Sequence, residues 1–242
     1  EEIVAHARRT VAAAGDVVAA ARASQDPLAG PIRLGVIPTL APYLMPFVLP
    51  RSAERLPRAP LMLVEDLTGH LVGPLADGEL DAALIATEPG SERFAEMMLF
   101  EEPFWLVMPA GHPLATRRRI GLADIDPKSL LLLTDGHCLR DQALELCGRA
   151  DIPAGSADVR AASLETLLHL TAAKYGLTLV PRLAVADWPG LAGRLVAKPI
   201  EGTKAMRRIR LVYRRDMPRR RALEVLAEVV RDSVPACVQA AA

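Results

Sequence analysis

The sequence predicts an α/β fold in which two similar halves follow one long N-terminal helix. Short β-prone runs alternate with helical segments from Pro31 onward, and this alternation is typical of sheets whose faces are covered by helices. The chain is 51% hydrophobic and 24% charged, which is ordinary globular usage. Its 242 residues are enough for one large domain or two small ones.

A long helix is predicted over residues 2–24, which are rich in Ala, Val and Arg and end before Pro27. Val4, Val11 and Val18 recur at heptad spacing, and this favours a helix that faces a partner, as a linker or a coiled coil. A helix packed on its own domain is the competing interpretation.

In the first half, two β-prone runs are each followed by a helix that is expected to open at a threonine, Thr39 or Thr68. A third run comes after the turn at Asp77-Gly78. The three predicted strands are Arg33–Ile37, Leu61–Val64 and Leu80–Ala86.

The middle of the chain predicts a second set of elements. One helix carries two cysteines and is expected to end at Gly148. Another runs from Ser163, its expected N-cap, to Lys174, and Gly176 is expected to end it. The predicted strands are Phe104–Met108, Leu130–Leu133 and Leu177–Val180.

The last part of the chain predicts a strand over Arg208–Tyr213 and an amphipathic helix over Arg219–Val230. We expect this part to rejoin the first half. One half would then comprise residues 31–103 and 206–242, and the other residues 104–205.

Composition excludes several function classes. Lys plus Arg equals Asp plus Glu at 29 each, so the chain has no overall basic field to hold a nucleic acid, and any DNA contact must come from elsewhere. Three cysteines do not fit a secreted disulfide scaffold, and they favour a reducing cytoplasm. No signal peptide or membrane span is predicted. Because the first residue is Glu1 rather than Met, we expect an upstream part outside this sequence.

Cys138 and Cys147 lie nine residues apart in a segment with the pattern of one helix. Nine helical steps turn the chain through about 900°, so the two side chains point to opposite faces, with Cα atoms roughly 13 Å apart. A disulfide needs Cα atoms closer than about 7 Å. The helix would have to unwind before these thiols could bond, which predicts a redox switch rather than a structural disulfide.

The two cysteines are expected to differ in reactivity. Cys138 stands near a helix N-terminus beside His137, and both influences lower the pKa of a thiol. Cys147 shares a helical stripe with Leu139 and Ala143, which predicts burial for Cys147 and partial access for Cys138. A cysteine that serves only as a small apolar side chain is the competing interpretation for Cys147.

Three places are expected at the ends of strands, where helices begin and ligand clefts of α/β sheets form: Thr39, Thr68 and the Gly136-His137-Cys138 turn. Their hydroxyls and free amides could converge on a small polar ligand. A plain helix N-cap is the competing interpretation for each threonine.

No metal or cofactor is expected. A zinc site is the weakest interpretation, because no pair among its four possible ligands has ordinary spacing. The four are His137, Cys138, Cys147 and His169.

The octapeptide Gly-His-Cys-Leu-Arg-Asp-Gln-Ala at residues 136–143, followed by Cys147, closely resembles the redox segment of the OxyR peroxide sensors, a branch of the LysR-type transcriptional regulators. The resemblance extends over nearly the whole chain, and the first helix resembles the end of the family's linker helix. Further similar segments are Gly35–Thr39 with Pro42–Leu44, Ser163–Leu167 and Leu211–Arg214.

This resemblance implies an effector domain of two Rossmann-like subdomains of the periplasmic-binding-protein type, preceded by a linker helix. It implies a homodimer or homotetramer that is not an enzyme and that binds DNA through an N-terminal winged helix-turn-helix absent from this chain. The implied parts are the linker end at 1–26, subdomain I at 31–103 and 206–242, and subdomain II at 104–205 with a redox segment at 135–148.

The resemblance also implies roles for single residues. Cys138 matches the peroxidatic cysteine, Cys147 the resolving cysteine, and Asp141 an acidic residue tied to the later movement of the sulfenate. Val64 and Asp158 stand where some relatives carry histidine, so a proton relay through those positions is not expected. The positions that match those around the peroxide are Thr39, Thr68, Gly136, His137 and Arg214.

The implied reaction is oxidation of Cys138 by hydrogen peroxide to a sulfenic acid, followed by a disulfide with Cys147 and reduction by a cytosolic thiol. Cys237 matches no functional position and is expected to be a bystander. Three alternatives stay open: a LysR-type sensor of a small organic effector with incidental cysteines, a thiol peroxidase, and a periplasmic solute-binding protein.

Overall fold

The computed structural model of the chain describes residues 2–147, 161–185, 193–201 and 205–239. Two compact units make up the fold, and the predicted α/β class is confirmed. Unit 1 comprises the chain up to Phe100 together with Arg208–Val234, and unit 2 comprises Glu101–Arg207 and the chain from Pro235 onward. In the part of the chain that is described, no helix has both the length and the apolar composition needed to cross a membrane.

Unit 1 is built on a mostly parallel sheet. The first strand pairs in parallel with the second and third, and the last strand of the chain runs antiparallel to the third. The first strand is buried along nearly its whole length, as expected for a strand covered on both faces. The elements are α1 (Glu2–Gln25), β1 (Ile32–Val36), α2 (Ala41–Arg55), β2 (Leu61–Glu65), α3 (Thr68–Ala76), β3 (Ala82–Ile85), the start of β4 (Phe94–Pro109), the end of β7 (Met206–Arg214) and α6 (Arg220–Ser233).

Unit 2 is built around the second part of β4, which pairs antiparallel with β5 and β6. A hydrophobic cluster that includes Leu106, Leu177 and Leu179 forms its core. Besides short 3₁₀ turns, its elements are α4 (Cys138–Leu146), α5 (Leu164–Ala172), β5 (Thr178–Pro181), a 3₁₀ helix at Arg182–Val185, β6 (Leu195–Pro199) and α7 (Ala236–Gln239).

The boundary of the second half was predicted wrongly at the C-terminus. Residues 235–242 were expected in the first half, but the chain from Pro235 onward belongs to unit 2. There α7 packs against the 3₁₀ helix Arg182–Val185, and Val238 is buried. Hydrophobic contact therefore assigns this short helix to unit 2, although its sequence follows α6 directly.

Most predicted elements are present within a few residues, but several differ. Strand β4 begins ten residues before the predicted start at Phe104, and β6 was not predicted. Residues 130–133 form isolated β-bridges rather than a regular strand: Leu130 bridges to Leu177 and Leu133 to Ala161.

The end of α5 also differs from the expectation, because the left-handed residue after it is Lys174, with φ 69°, rather than Gly176. A glycine is needed at 176 for a different reason. A Cβ atom there would lie 2.3 Å from the backbone oxygen of Ser129, which no side chain can tolerate. The close backbone contact, and not helix termination, explains this glycine.

A fully buried ion pair lies in unit 2. The Arg207 guanidinium contacts Glu102 at 2.8 Å, and both side chains are 0% exposed. The other carboxylate oxygen of Glu102 accepts a hydrogen bond from the backbone N–H of Leu183 at 2.7 Å. Each charge is thereby compensated, which a buried ion requires.

We predict that Arg207→Met lowers the free energy of unfolding by about 3–5 kcal/mol, because it leaves the Glu102 carboxylate buried without its counterion. Arg208→Met, at the exposed neighbouring position, is the matched control and should change it by no more than about 0.5 kcal/mol. Adding Glu102→Gln to Arg207→Met removes the orphaned charge and should recover much of the loss. Urea unfolding measures all four proteins, and equal effects of the two arginine substitutions would contradict the prediction.

Candidate functional site

The two cysteines stand at opposite ends of α4, as predicted. Cys138 is the first helical residue and Cys147 directly follows the last one, so the nine-residue helix separates them. Both are thiols and not part of a disulfide. Their Cα atoms are therefore roughly 13 Å apart along the helix, beyond the reach of a disulfide.

The burial predicted for Cys147 is too high. Leu139, Ala143 and Leu144 form the buried face of α4, whereas Cys147 is only half-buried, like Cys138. Cys147 packs against the edge of the unit 2 hydrophobic cluster. Its place after the last turn of the helix carries it away from the fully buried stripe.

The turn before α4 needs a glycine. Gly136 has φ 94°, in the left-handed region that side chains disfavour, and it is solvent-exposed. His137 follows as the N-cap residue, without a side-chain capping bond, and is buried. The segment leading into this turn is held by a 3.0 Å hydrogen bond from the Thr134 N–H to the Ala161 carbonyl.

Burial changes the expected role of His137. Desolvation lowers the pKa of His137 below its ordinary value of 6.5, and a hydrogen bond with the Ala162 backbone opposes this shift only in part. The imidazole is therefore neutral at pH 7. A neutral imidazole adds no positive charge beside Cys138, so the predicted lowering of the thiol pKa rests on the N-terminus of α4 rather than on His137.

Arg140 organises the start of α4, although no role was predicted for it. One of its guanidinium nitrogens lies 3.1 Å from the Asp135 carboxylate and 3.4 Å from that of Asp141. Asp141 is exposed and lies in the first helical turn, where a negative charge is favourable. The cluster could have been predicted from the sequence, because Asp135 and Asp141 lie on either side of this arginine.

In unit 1, the two predicted threonines follow neighbouring parallel strands. Because β1 and β2 run in parallel, Thr39 and Thr68 lie at the same, carboxyl edge of the sheet. Neither is a plain helix N-cap, since Leu40 and Leu67 occupy the N-cap positions of α2 and α3. Thr39 is 2% exposed. The Thr68 hydroxyl is buried and has no hydrogen-bond partner within the described ranges.

The structure does not bring Arg214 to the sheet edge that carries the two threonines, so its role at the peroxide stays a prediction of the resemblance. Strand β7 runs antiparallel to β3, with Arg210 opposite Ile85 near the carboxyl edge. Arg214 lies four residues further along, at the amino edge, where it pairs with Asp216 at 3.1 Å. The buried Arg210, paired with Glu96 at 3.2 Å, is the β7 arginine at the edge that carries the threonines.

The remaining predicted positions contribute less. Val64 is 45% exposed on β2, while Gly148 and Asp158 lie outside the described residues. The backbone of Cys237 lies in α7. The described parts of the chain contain no cluster of three or more His, Cys, Asp or Glu side chains that could hold a metal ion.

The chain matches a family model. Residues 25–235 fit the LysR substrate binding domain, which is nearly all of the sequence after the first helix. The matched region contains both α4 cysteines and both threonines. Family membership is thus supported by nearly the whole sequence after the first helix and not by the redox segment alone.

Individual relatives are named for a response to peroxide. A probable hydrogen peroxide-inducible genes activator of Mycobacterium avium is 40% identical over 233 residues, covering 96% of this chain and 75% of the relative. The DNA-binding transcriptional dual regulator OxyR of Escherichia coli K12 is 40% identical over 206 residues, covering 85% of this chain and 67% of the relative. The structure of a peroxide-bound cysteine-to-serine mutant of OxyR from Corynebacterium glutamicum superposes with a TM-score of 0.83 at 35% identity, covering 99% of this chain and 75% of that one.

We predict that His137→Gln flattens the loss of stability in mild acid. Above pH 6.5 the imidazole is neutral in both the folded and the unfolded chain. As the pH falls below 6.5, the unfolded chain binds a proton that the folded protein takes up only at lower pH, so the free energy of unfolding decreases. The variant lacks this linkage.

The measurement is urea unfolding between pH 7.5 and pH 5. His169→Gln, at an exposed histidine of the same unit, reports any general effect of losing an imidazole. A wild-type decrease that persists unchanged in His137→Gln would contradict the buried, neutral state of His137.

Proposed function

The chain belongs to the OxyR group of LysR-type transcriptional regulators, and from that premise we propose that Cys138 and Cys147 are the peroxidatic and resolving cysteines of a hydrogen-peroxide-sensing effector domain. The observation that carries the proposal is the position of the two thiols at opposite ends of α4. A pair placed there reacts with each other only after the helix melts. Disulfide formation therefore requires the conformational change.

The first step is attack of the Cys138 thiolate on one oxygen of hydrogen peroxide. A sulfur–oxygen bond forms, the oxygen–oxygen bond breaks, and the departing hydroxide takes up a proton to leave as water. The N-terminus of α4 stabilises the thiolate. The resemblance assigns Thr39 and Thr68 to the peroxide, and the Thr68 hydroxyl, buried without a partner in the described part of the chain, has a hydrogen bond left to donate to the leaving oxygen.

The second step closes the disulfide. The Cys147 sulfur attacks the Cys138 sulfenic acid, the sulfur–sulfur bond forms, and water leaves. Closing a loop of about ten residues constrains the melted segment by roughly 3 kcal/mol in the chain-entropy model. Melting α4 exposes Leu139 and Leu144, each worth about 1.5–3 kcal/mol of burial. Both are costs of the oxidised form, so the condensation of the sulfenic acid with the Cys147 thiol must supply the free energy that keeps the segment melted.

The oxidised form is read out elsewhere in the regulator. We propose that the melted segment changes the contacts between copies of a homodimer or homotetramer. The linker helix α1 passes this change to DNA-binding domains outside this sequence. A dithiol reductant of the cytoplasm returns the pair to thiols. The protein acts as a sensor and not as a peroxidase, because each cycle ends in a stable disulfide rather than in rapid turnover.

We predict that one equivalent of hydrogen peroxide converts the reduced protein into a Cys138–Cys147 disulfide, seen by mass spectrometry of its peptides. Cys147→Ser should stop at a Cys138 sulfenic acid that a dimedone probe captures, and Cys138→Ser should leave Cys147 a thiol. Peroxide consumption should cease after about one equivalent when no reductant is added. Two unmodified thiols in the treated wild-type protein would refute the mechanism.

We predict that Thr68→Val slows oxidation of Cys138 by peroxide about tenfold or more, since a hydrogen bond to a developing charge contributes about 1.5–3 kcal/mol. The same change should not lower the free energy of unfolding, because the hydroxyl it removes has no partner among the described residues. Thr10→Val on the exposed face of α1 is the matched control. Stopped-flow oxidation rates and urea unfolding together test this, and a normal rate in Thr68→Val would exclude the role.

A further inference from the structure

Unit 2 contains a pocket of about 390 Å³ that the redox chemistry does not use. This volume lies in the range of about 300–1,000 Å³ that small-molecule pockets occupy. The pocket is formed by the turn after β4, the start of segment 129–133 and the chain that follows α5. Neither Cys138 nor Cys147 lines it.

The polar groups of this pocket select for an anion. Lys174 lines it, and its ammonium has no ion-pair partner in the part of the chain that is described. His112 accepts a hydrogen bond from the Leu114 N–H at Nδ1, at 3.2 Å, which leaves Nε2 as a donor. None of the described lining residues is Asp or Glu.

The remaining walls are largely carbon. Pro109, Pro113 and Leu177 line the pocket, and the Tyr175 side chain beside them is 60% exposed. Inorganic phosphate would leave these apolar surfaces uncovered. We propose that this pocket binds a small organic carboxylate, with the carboxylate at Lys174 and His112 and an apolar body against Leu177, Tyr175 and the two prolines.

The pocket shares one residue with the hydrophobic cluster that packs against Cys147. Leu177 belongs to the hydrophobic cluster against which Cys147 packs. The same residue exchanges backbone hydrogen bonds with segment 129–133, donating to the Ser129 carbonyl at 2.8 Å and accepting from the Leu131 N–H at 2.7 Å. Because Leu177 is only 2% exposed, a ligand in the pocket acts on it by stabilising the wall that Leu177 and segment 129–133 form, and with it the packing that melting of α4 disrupts.

The carboxylate would accordingly hold Cys147 in place and oppose its release, a consequence for peroxide sensing that rests on the proposed function. Because the ligand binds the packed form in preference, saturation at ten times its dissociation constant lowers the population of the released form by up to about tenfold.

The binding test titrates the reduced protein with benzoate and hexanoate, observed by ¹⁵N–¹H NMR. Benzyl alcohol serves as the uncharged counterpart of benzoate. We expect saturable binding of at least one carboxylate, about tenfold or more weaker in Lys174→Met and unchanged in Lys128→Met, which removes a lysine outside the pocket. Absence of saturable binding by both carboxylates, or equal affinity in the two lysine variants, would overturn the proposal.

A second variant guards against a folding defect at the left-handed Lys174. Gly111 lines the pocket, and a Cβ atom there meets nothing within 4 Å, so Gly111→Leu adds apolar bulk at the pocket without a backbone clash at Cβ. It should abolish carboxylate binding while keeping the wild-type unfolding midpoint. Retained binding in a folded Gly111→Leu protein would count against this location.

The coupling test measures alkylation of Cys147 by N-ethylmaleimide in Cys138→Ser protein, with and without saturating ligand. We expect the carboxylate to slow alkylation severalfold and benzyl alcohol to have no effect. An unchanged rate at saturation would overturn the coupling. Because no peroxide is used, this result is independent of whether Cys138 reacts with peroxide.

Discussion

The separation of two thiols by one short helix is the constraint on which the rest of unit 2 depends. Helix α4 has nine residues, fewer than the roughly 12–15 that an isolated helix needs to be stable in water. It persists because Leu139, Ala143 and Leu144 are buried. A perturbation at either end that weakens this packing therefore destabilises the helix. A longer helix, stable on its own, could not be melted by one oxidised sulfur.

Opposite charges lie close together at the start of α4. The helix N-terminus attracts negative charge, and three groups compete for it: the Cys138 sulfur, where the proposed mechanism places a thiolate, and the carboxylates of Asp135 and Asp141. Arg140 pairs with both carboxylates and offsets their repulsion of the thiolate. Since His137 is neutral, the positive influences on the sulfur are the helix amides and this arginine. Loss of the helix would remove the amides and disperse the cluster together.

Local sequence patterns were sufficient for the elements whose causes are local. The strand–turn–helix order of unit 1, the single cysteine helix and the Ser163 N-cap, which accepts from the Thr166 N–H, all follow from periodicity and capping chemistry. Features set by distant partners could not be read in this way. Arg214 was placed at the peroxide because a motif matched, but the antiparallel course of β7 decides which arginine reaches the carboxyl edge, and that depends on pairing with β3.

The half-buried position of Cys147 follows the same physical reasoning. A fully exposed resolving thiol would need no helix melting to meet an oxidant, and it would be open to oxidation on its own. A fully buried one would add a large apolar contact to the cost of release, on top of the exposure of Leu139 and Leu144. At the edge of the cluster, against which Leu146 also packs, Cys147 can be released without opening the core around Leu106. In the proposed mechanism, the strength of that edge packing sets the threshold for disulfide closure.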